Sequence, residues 1–378
     1  MGEITGKIKD ISYVGIADVV SKGIAAIFWF YIASVLEPSS YGEITYIFSI
    51  AGISSAVSLV GSSNTVTIYV AKKIQIESTL YFLTLITGII SSIILFFIFL
   101  DIGLSFLNMG ILVFSLITAE ILGMQLYQNY VKVIIFQKLL MVSLGISFYY
   151  LFGEDGIVTG IAISYFPFIY FIIKTFLRVK ISFSMLSNRS HFLINNYIQT
   201  LSGAFSSSLD KLIIASLFGF ALLGNYALGL QFLVILVMLP EVVRKYLMAQ
   251  ESKGIINKKL KTILIITSTL LTILGIVAGP PVMSYFFPKF IEAQDIIRIV
   301  SLSVVPTTIM MIYHTKFLGM EQGKHVLITS LSRTISHLIL IIVLGSMYGV
   351  NGIAASLVIA STISAIYAYY ANQKLVKY

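Results

Sequence analysis

Residues Leu80 to Leu100 are 21 consecutive positions without a charge. As an α-helix rising 1.5 Å per residue, such a run covers about 30 Å, the hydrocarbon thickness of a bilayer. Similar runs follow one another along the chain. The expectation is an all-α, polytopic membrane protein of about 12 transmembrane helices, at 11–36, 42–70, 79–100, 104–130, 133–152, 156–177, 195–219, 224–249, 260–287, 295–318, 325–346 and 350–372. Over 378 residues that leaves about 31 residues for each span and its loop, too few for a soluble domain of ~100 residues. Charged residues make up 11% of the chain, where a soluble domain carries about 25%.

Charge placement tests the span count. With the N-terminus inside, 20 of the 25 basic residues fall in inside segments or at the inner ends of spans, among them Lys72, Lys73, Arg178, Arg189, Lys258 and Lys259. Only Lys289 and Arg298 fall outside, while Lys22, Lys211 and Arg333 lie within spans. The outer edges carry acidic residues such as Glu37, Asp101, Glu154 and Glu292. This is the positive-inside bias, and a miscounted span would invert every later loop. It places both termini in the cytoplasm, and the expected location is the cell (plasma) membrane. It also accounts for the net charge of +9 without nucleic acid.

Other signals exclude rather than assign. The chain has no cysteine, hence no disulfide, thiolate catalysis or cysteine metal site. The run Ile11 to Leu36 is too long for a signal-peptide core and reads as a retained span. Gly6 stands where a myristoylation signal needs Ser or Thr. Asn188-Arg189-Ser190 matches a glycosylation sequon but lies in an inside loop, so it reads as chance. There is no G-x-S-x-G, HExxH, Walker A or DxD motif, and the four histidines are scattered. No enzymatic activity, metal or other cofactor is expected.

The chain repeats itself. Gly153-Glu154-Asp155-Gly156-Ile157 resembles Gly349-Val350-Asn351-Gly352-Ile353 at an offset of 196, and each enters the last span of a half. Ser40-Tyr41-Gly42 and Gly224-Asn225-Tyr226 form a weaker pair with a shorter offset. Six spans per half is an even number, so the halves enter from the same side and a parallel repeat follows. The expected organisation is an N-terminal six-helix lobe at 1–177, a cytoplasmic linker at 178–194 and a C-terminal six-helix lobe at 195–378.

Charges inside spans are the candidates for function. At mid-bilayer each costs roughly 2.5–3.5 kcal/mol, against about 0.3–0.6 returned by a Leu, Ile or Phe. Span seven holds Asp210 and Lys211, so it is expected to line an interior or a wet cavity rather than face lipid. As sequence neighbours the two point to different faces, which argues against mutual neutralisation. Asp18 and Lys22 in span one share a face at i, i+4, as do Arg333 and His337 in span eleven. Span four carries Glu120. Lys22, Lys211 and Arg333, with Asp18 and Asp210, are candidate substrate-binding residues, since Lys and Arg suit an anionic group such as a diphosphate. Asp18 and Glu120 are candidate coupling-ion residues. The bland alternatives are a packing pair for Asp18–Lys22, a hydrogen-bonded packing role for Glu120, and snorkelling for Lys211 and Arg333. Pro167, Pro240, Pro280, Pro281 and Pro306 fall within spans and permit kinks.

At Leu209-Asp210-Lys211-Leu212-Ile213-Ile214, Leu223-Gly224-Asn225-Tyr226-Ala227 and Tyr348-Gly349-Val350-Asn351-Gly352, the chain resembles the Wzx-type oligosaccharide flippases. These belong to the multidrug/oligosaccharidyl-lipid/polysaccharide exporter superfamily. The resemblance implies two six-helix lobes around a central cavity. It implies a transporter that flips a polyprenyl-diphosphate-linked oligosaccharide from the cytoplasmic to the outer leaflet by alternating access, for cell-surface polysaccharide or glycoprotein assembly. Its partners would be the lipid-linked glycan, membrane lipid and other glycan-assembly membrane proteins. An ion-coupled multidrug or cation exporter of the same superfamily is the alternative. A membrane glycan polymerase or glycosyltransferase is a further one, although no outside segment is long enough to look catalytic. A non-transporting membrane scaffold is also open.

Overall fold

The computed structural model describes residues 2–187, 189–251, 257–320 and 322–376. Asn188 of the sequon, Lys253 and Lys377 lie outside them. The described residues are helical throughout, without a strand: α1 (Gly2–Val35), α2 (Pro38–Leu59), α3 (Ser62–Ala71), α4 (Glu77–Phe99), α5 (Ile102–Gly123), α6 (Tyr127–Phe152), α7 (Glu154–Ile163), α8 (Ile169–Arg178), α9 (Phe183–Ser187), α10 (Ser190–Phe218), α11 (Phe220–Glu251), α12 (Lys258–Phe286), α13 (Ala293–Val300), α14 (Val304–Gly319) and α15 (Gly323–Val376). Short 3₁₀ turns, Phe166–Phe168 and Ser301–Ser303, join α7 to α8 and α13 to α14. Pro167 and Pro306 sit at these junctions, whereas Pro240, Pro280 and Pro281 lie inside helices.

Among the described residues, 11 segments are long and apolar enough to cross a membrane. The last runs 53 residues, which at 1.5 Å per residue is more than twice a bilayer core. Gly349, at φ 56°, breaks its helix, giving two spans and twelve in all. Gly153 has a like role between α6 and α7 at φ 74°. Three residues beyond each break the chain turns back against the preceding helix without room for a side chain. A Cβ on Gly156 would lie 2.3 Å from the Phe148 carbonyl oxygen, and one on Gly352 1.9 Å from that of Leu344. Gly153/Gly349, Gly156/Gly352 and Phe148/Leu344 all share the offset of 196, so the internal repeat is structural.

Two boundaries differ from the sequence reading. The expected span 42–70 breaks after Leu59, where Val60 and Gly61 both take positive φ, and the short α3 follows. A Cβ on Gly61 would meet the Leu193 carbonyl at 2.5 Å, so the break lets α10 approach. The turn between spans four and five is at 124–126, not at Lys132–Lys138. Gln125 carries the left-handed turn, and both lysines lie on α6.

The chain forms two compact units: Met1–Phe28 with Ile47–Ser208, and Trp29–Tyr46 with Leu209–Tyr378. In the first, Leu80, Tyr81, Leu112, Leu116, Phe168 and Ile172 form a buried core, and Leu193 packs onto it. Helix α4 shows the membrane pattern. Thr84, Gly88 and Ser92 face inward, while Ile89, Ile90, Ile93 and Phe97 are exposed. Lipid tails are as apolar as leucine, so helices associate here through small residues and hydrogen bonds. Ser58 donates to Ser91 (2.7 Å), Thr84 to Ser62 (2.8 Å), and Asn108 to Ser91 and Ser92 (2.9 and 2.8 Å).

In the second unit, Ile214, Leu223, Tyr226, Ile296, Val300 and Ile353 form the core. The tip formed by the end of α1 and the start of α2 belongs to this unit. There the glycines of the weaker repeat meet backbone to backbone: a Cβ on Gly42 would fall 1.9 Å from the Phe220 carbonyl, and one on Gly224 1.8 Å from that of Pro38. Phe30 stacks edge-on to Phe232 and lies against Phe287. Glu37 pairs with Lys289 at 2.9 Å across an exposed edge, a contact of small energetic weight.

Candidate functional site

Each unit holds a cluster of charged side chains that draws in residues singled out from the sequence. In the second unit it forms around Asp210 of α10, which is 6% exposed. Asp210 stands eight residues, about 12 Å, before the end of its helix, well inside the span. Lys211 curls back from the next position and donates to both carboxylate oxygens, at 3.1 and 3.3 Å. The expectation that these neighbours do not neutralise each other is therefore wrong: a four-carbon stem is long enough to return the ammonium to the adjacent face. The Tyr226 hydroxyl, buried in α11, donates to Asp210 Oδ2 at 3.3 Å. From α15, Arg333 lies within electrostatic reach of Asp210 and Tyr226. His337, one turn further on, feels Asp210, Arg333 and Lys211. His337 is buried, and its Nε2 has no hydrogen-bond partner among the described residues.

The cluster thus gathers two cations and one anion beside the His337 imidazole. Burial of charge in hydrocarbon is expensive unless paired, and an intramembrane cluster of this kind marks a polar interior. Asp210 faces both of these cations. A phosphate or other anionic group would complete the cluster, with Arg333 and Lys211 as donors.

Asp18 and Lys22 lie on α1 in the first unit, one turn apart, the first half-buried and the second exposed. Tyr130 of α6 is within reach of the Asp18 charge. These two are not repeat counterparts of Asp210 and Lys211. Asp18 precedes Gly42 by 24 residues and Asp210 precedes Gly224 by 14, a difference of about 15 Å along a helix.

The first unit's main cluster surrounds Glu120. Its Oε2 accepts from the Tyr81 hydroxyl (2.6 Å) and the Thr175 hydroxyl (2.8 Å), and its Oε1 from Arg178 Nη2 (2.5 Å). Arg178 also reaches Glu77 Oε1 at 3.2 Å. Glu77 opens α4, Glu120 is close to the end of α5, and Arg178 ends α8, so three span ends are tied at one level. The partners are 101 and 58 residues from Arg178 in sequence, and no spacing rule could have joined them. Tyr226 was within reach of sequence reasoning, in the Gly224-Asn225-Tyr226 turn, but nothing there marks its hydroxyl as a carboxylate donor. Among the described residues no group of three or more His, Cys, Asp or Glu side chains could hold a metal ion.

No protein-family model matches the chain, and no curated protein matches it. Solved structures do. One is titled an inward-facing conformation of a multidrug resistance MATE family transporter of the MOP superfamily. It has a TM-score of 0.70 at 15% identity, covering 95% of this chain and 94% of that one. The lipid II flippase MurJ in an inward closed conformation is similar at a TM-score of 0.72 and 15% identity, over 96% of this chain and 87% of the other. An outward-facing MATE family transporter is similar at 0.63 and 16% identity, over 98% and 96%. At these identities the likeness shows the fold.

Proposed function

We propose that this chain is a membrane carrier that moves a lipid-linked anionic glycan, of the polyprenyl-diphosphate kind, between leaflets by alternating access. The observation that carries the reading is the second unit's cluster. Asp210 is answered by Lys211, and Arg333 brings a further cation to the same place within a membrane span. Such a charge inside hydrocarbon marks a pathway or binding site by default. Guanidinium suits a phosphate oxygen pair better than a drug cation, which it would repel. The fold shared with a structure named as a lipid II flippase is consistent with this substrate class. In the cell the carrier would sit in the plasma membrane with its termini in the cytoplasm, beside the membrane enzymes that build and consume the glycan.

Lys211 and Arg333 are assigned to the phosphate, with Tyr226 and Asp210 orienting Lys211. Lys22, exposed on α1, is a third candidate cation.

One observation favours the second reading, an ion-coupled exporter of the MATE kind. The first unit's cluster has two carboxylates against one guanidinium, so it carries excess negative charge. A carrier of organic cations would use such a surplus.

The test is flipping in proteoliposomes. A fluorescent short-chain polyprenyl-diphosphate sugar is reconstituted with wild type, with Lys211→Ala/Arg333→Ala, and with the same double variant carrying Lys22→Ala. Protein-dependent movement that the double variant loses is expected. Absence of movement with several sugar headgroups, together with transport of organic cations, would replace this reading by the exporter.

A further inference from the structure

The cluster where α4 begins and α5 and α8 end contains two unlike carboxylates. Glu120 is saturated: two hydroxyls and a guanidinium donate to its two oxygens. Glu77 is as deeply buried, at 5% exposure, but among the described residues has a single donor, Arg178 at 3.2 Å on Oε1. Its Oε2 is shut off from solvent, and no donor among the described residues reaches it.

Charge counting shows what is wanting. Two carboxylates against one guanidinium leave one negative charge in a buried site. Buried groups avoid such a surplus by pairing or by changing protonation. Glu77 shares Arg178 of α8 with Glu120 of α5, and both carboxylates lie within electrostatic reach of Tyr81 on α4 itself. The neighbouring hydroxyls are engaged elsewhere: Thr175 donates to Glu120, Ser78 donates to the Thr175 carbonyl, and Thr79 accepts from the Ser182 amide. A metal cation would lie against the guanidinium and find one unengaged carboxylate oxygen, where hard cations take about six oxygens. A proton needs only that one oxygen.

We infer that Glu77 is a proton-binding site. Oε2 takes one proton from water, the cluster passes from one net negative charge to neutral, and release reverses the step with no other bond made or broken. The route to water runs past Arg178, whose side chain is 45% exposed. Protonation turns the ionic Arg178–Glu77 contact into a weaker bond to a neutral carboxyl oxygen, while the shorter Arg178–Glu120 bond is left in place. Its use as a coupling site rests on the carrier reading above. The proton site itself does not.

The first experiment therefore needs no substrate. Infrared difference spectra between acidic and alkaline pH are recorded on the reconstituted wild type, Glu77→Gln, Glu120→Gln and the surface control Asp295→Asn. Circular dichroism checks that each variant keeps its helix content. The expected result is a buried carboxylic-acid C=O band in wild type that Glu77→Gln abolishes and Asp295→Asn retains. Identical difference spectra for wild type and Glu77→Gln, or a band abolished only by Glu120→Gln, overturn the assignment. The second arm compares flipping with and without a proton gradient. Wild type should respond several-fold and Glu77→Gln should not, and an undiminished response in Glu77→Gln overturns the coupling role. Failure to flip any lipid-linked sugar would refute the proposed substrate but leave the infrared result standing.

Discussion

In the first unit a tyrosine hydroxyl and a guanidinium converge on Glu120, and in the second a tyrosine hydroxyl and an ammonium converge on Asp210. The parts are alike and the balance is opposite. A second carboxylate, Glu77, joins the first cluster, whereas a second cation, Arg333, stands beside the other. Position differs as well. The Glu120 cluster ties span ends together, where Arg178 keeps contact with water, while Asp210 is set well inside its span. A surplus negative charge near the rim suits exchange of a proton with water, and a surplus positive charge inside the membrane suits an anionic substrate. On the proposed reading, carboxylates of similar burial acquire different roles from the charges gathered beside them.

The sharpest way to break this comparison is to delete the cations of each cluster and read transport. Lys211→Ala/Arg333→Ala should reduce flipping of a diphosphate-linked sugar by at least ~10-fold, since each charge-assisted hydrogen bond is worth about 1.5–3 kcal/mol and 1.4 kcal/mol is a factor of ten. Arg178→Ala should instead act mainly on stability. Equal losses of flipping, at equal reconstituted protein, would erase the distinction.

Next in size is the anion. Glu120→Ala should lower stability by about 2–3 kcal/mol, toward the low side for a broken buried pair because Arg178 can turn to water. Asp210→Ala should impair transport more than stability, since its cluster already carries an excess cation to bind substrate. Thermal midpoints in detergent alongside flipping rates separate the two.

The hydroxyls give a finer test. Tyr81→Phe removes a 2.6 Å bond to a carboxylate and should cost about 1.5–3 kcal/mol. Tyr226→Phe removes a 3.3 Å contact and should cost less than about 1 kcal/mol, again by thermal midpoint. A reversed order would mean that Asp210, not Glu120, is the more tightly held anion. The smallest expected effect on stability is that of Glu77→Gln, within about 1 kcal/mol of wild type, because the amide keeps the shape and removes the surplus charge. A large loss of stability in this variant would show that Glu77 is held as an anion by Arg178.

Much of this molecule was legible before any coordinates. The charge-free runs located most spans to within a few residues, the exceptions being the break after Leu59 and the turn at 124–126. The glycine turns at Gly153 and Gly349 announced the repeat because only a residue tolerating positive φ can turn a helix back so tightly there. Asp210, Lys211 and Arg333 stood out because charge within a long apolar run is costly wherever the chain goes. The failures have physical causes too. The turn at Gln125 was misplaced because a non-glycine left-handed residue carries no sequence mark. The Asp210–Lys211 pairing was missed because backbone direction does not limit where a long flexible stem ends.

The sequence by itself determined the solvent and the layout: a bilayer, twelve crossings and two related halves. These follow from local quantities, hydropathy per residue and helix rise, that need no partner. Only the tertiary structure decided which charges meet. Glu77, Glu120 and Arg178 come together across 58 and 101 residues, and Asp210 and Arg333 from separate helices. The function of a buried charge depends on the few ångströms around it, and that distance is set by how helices pack, not by their order along the chain.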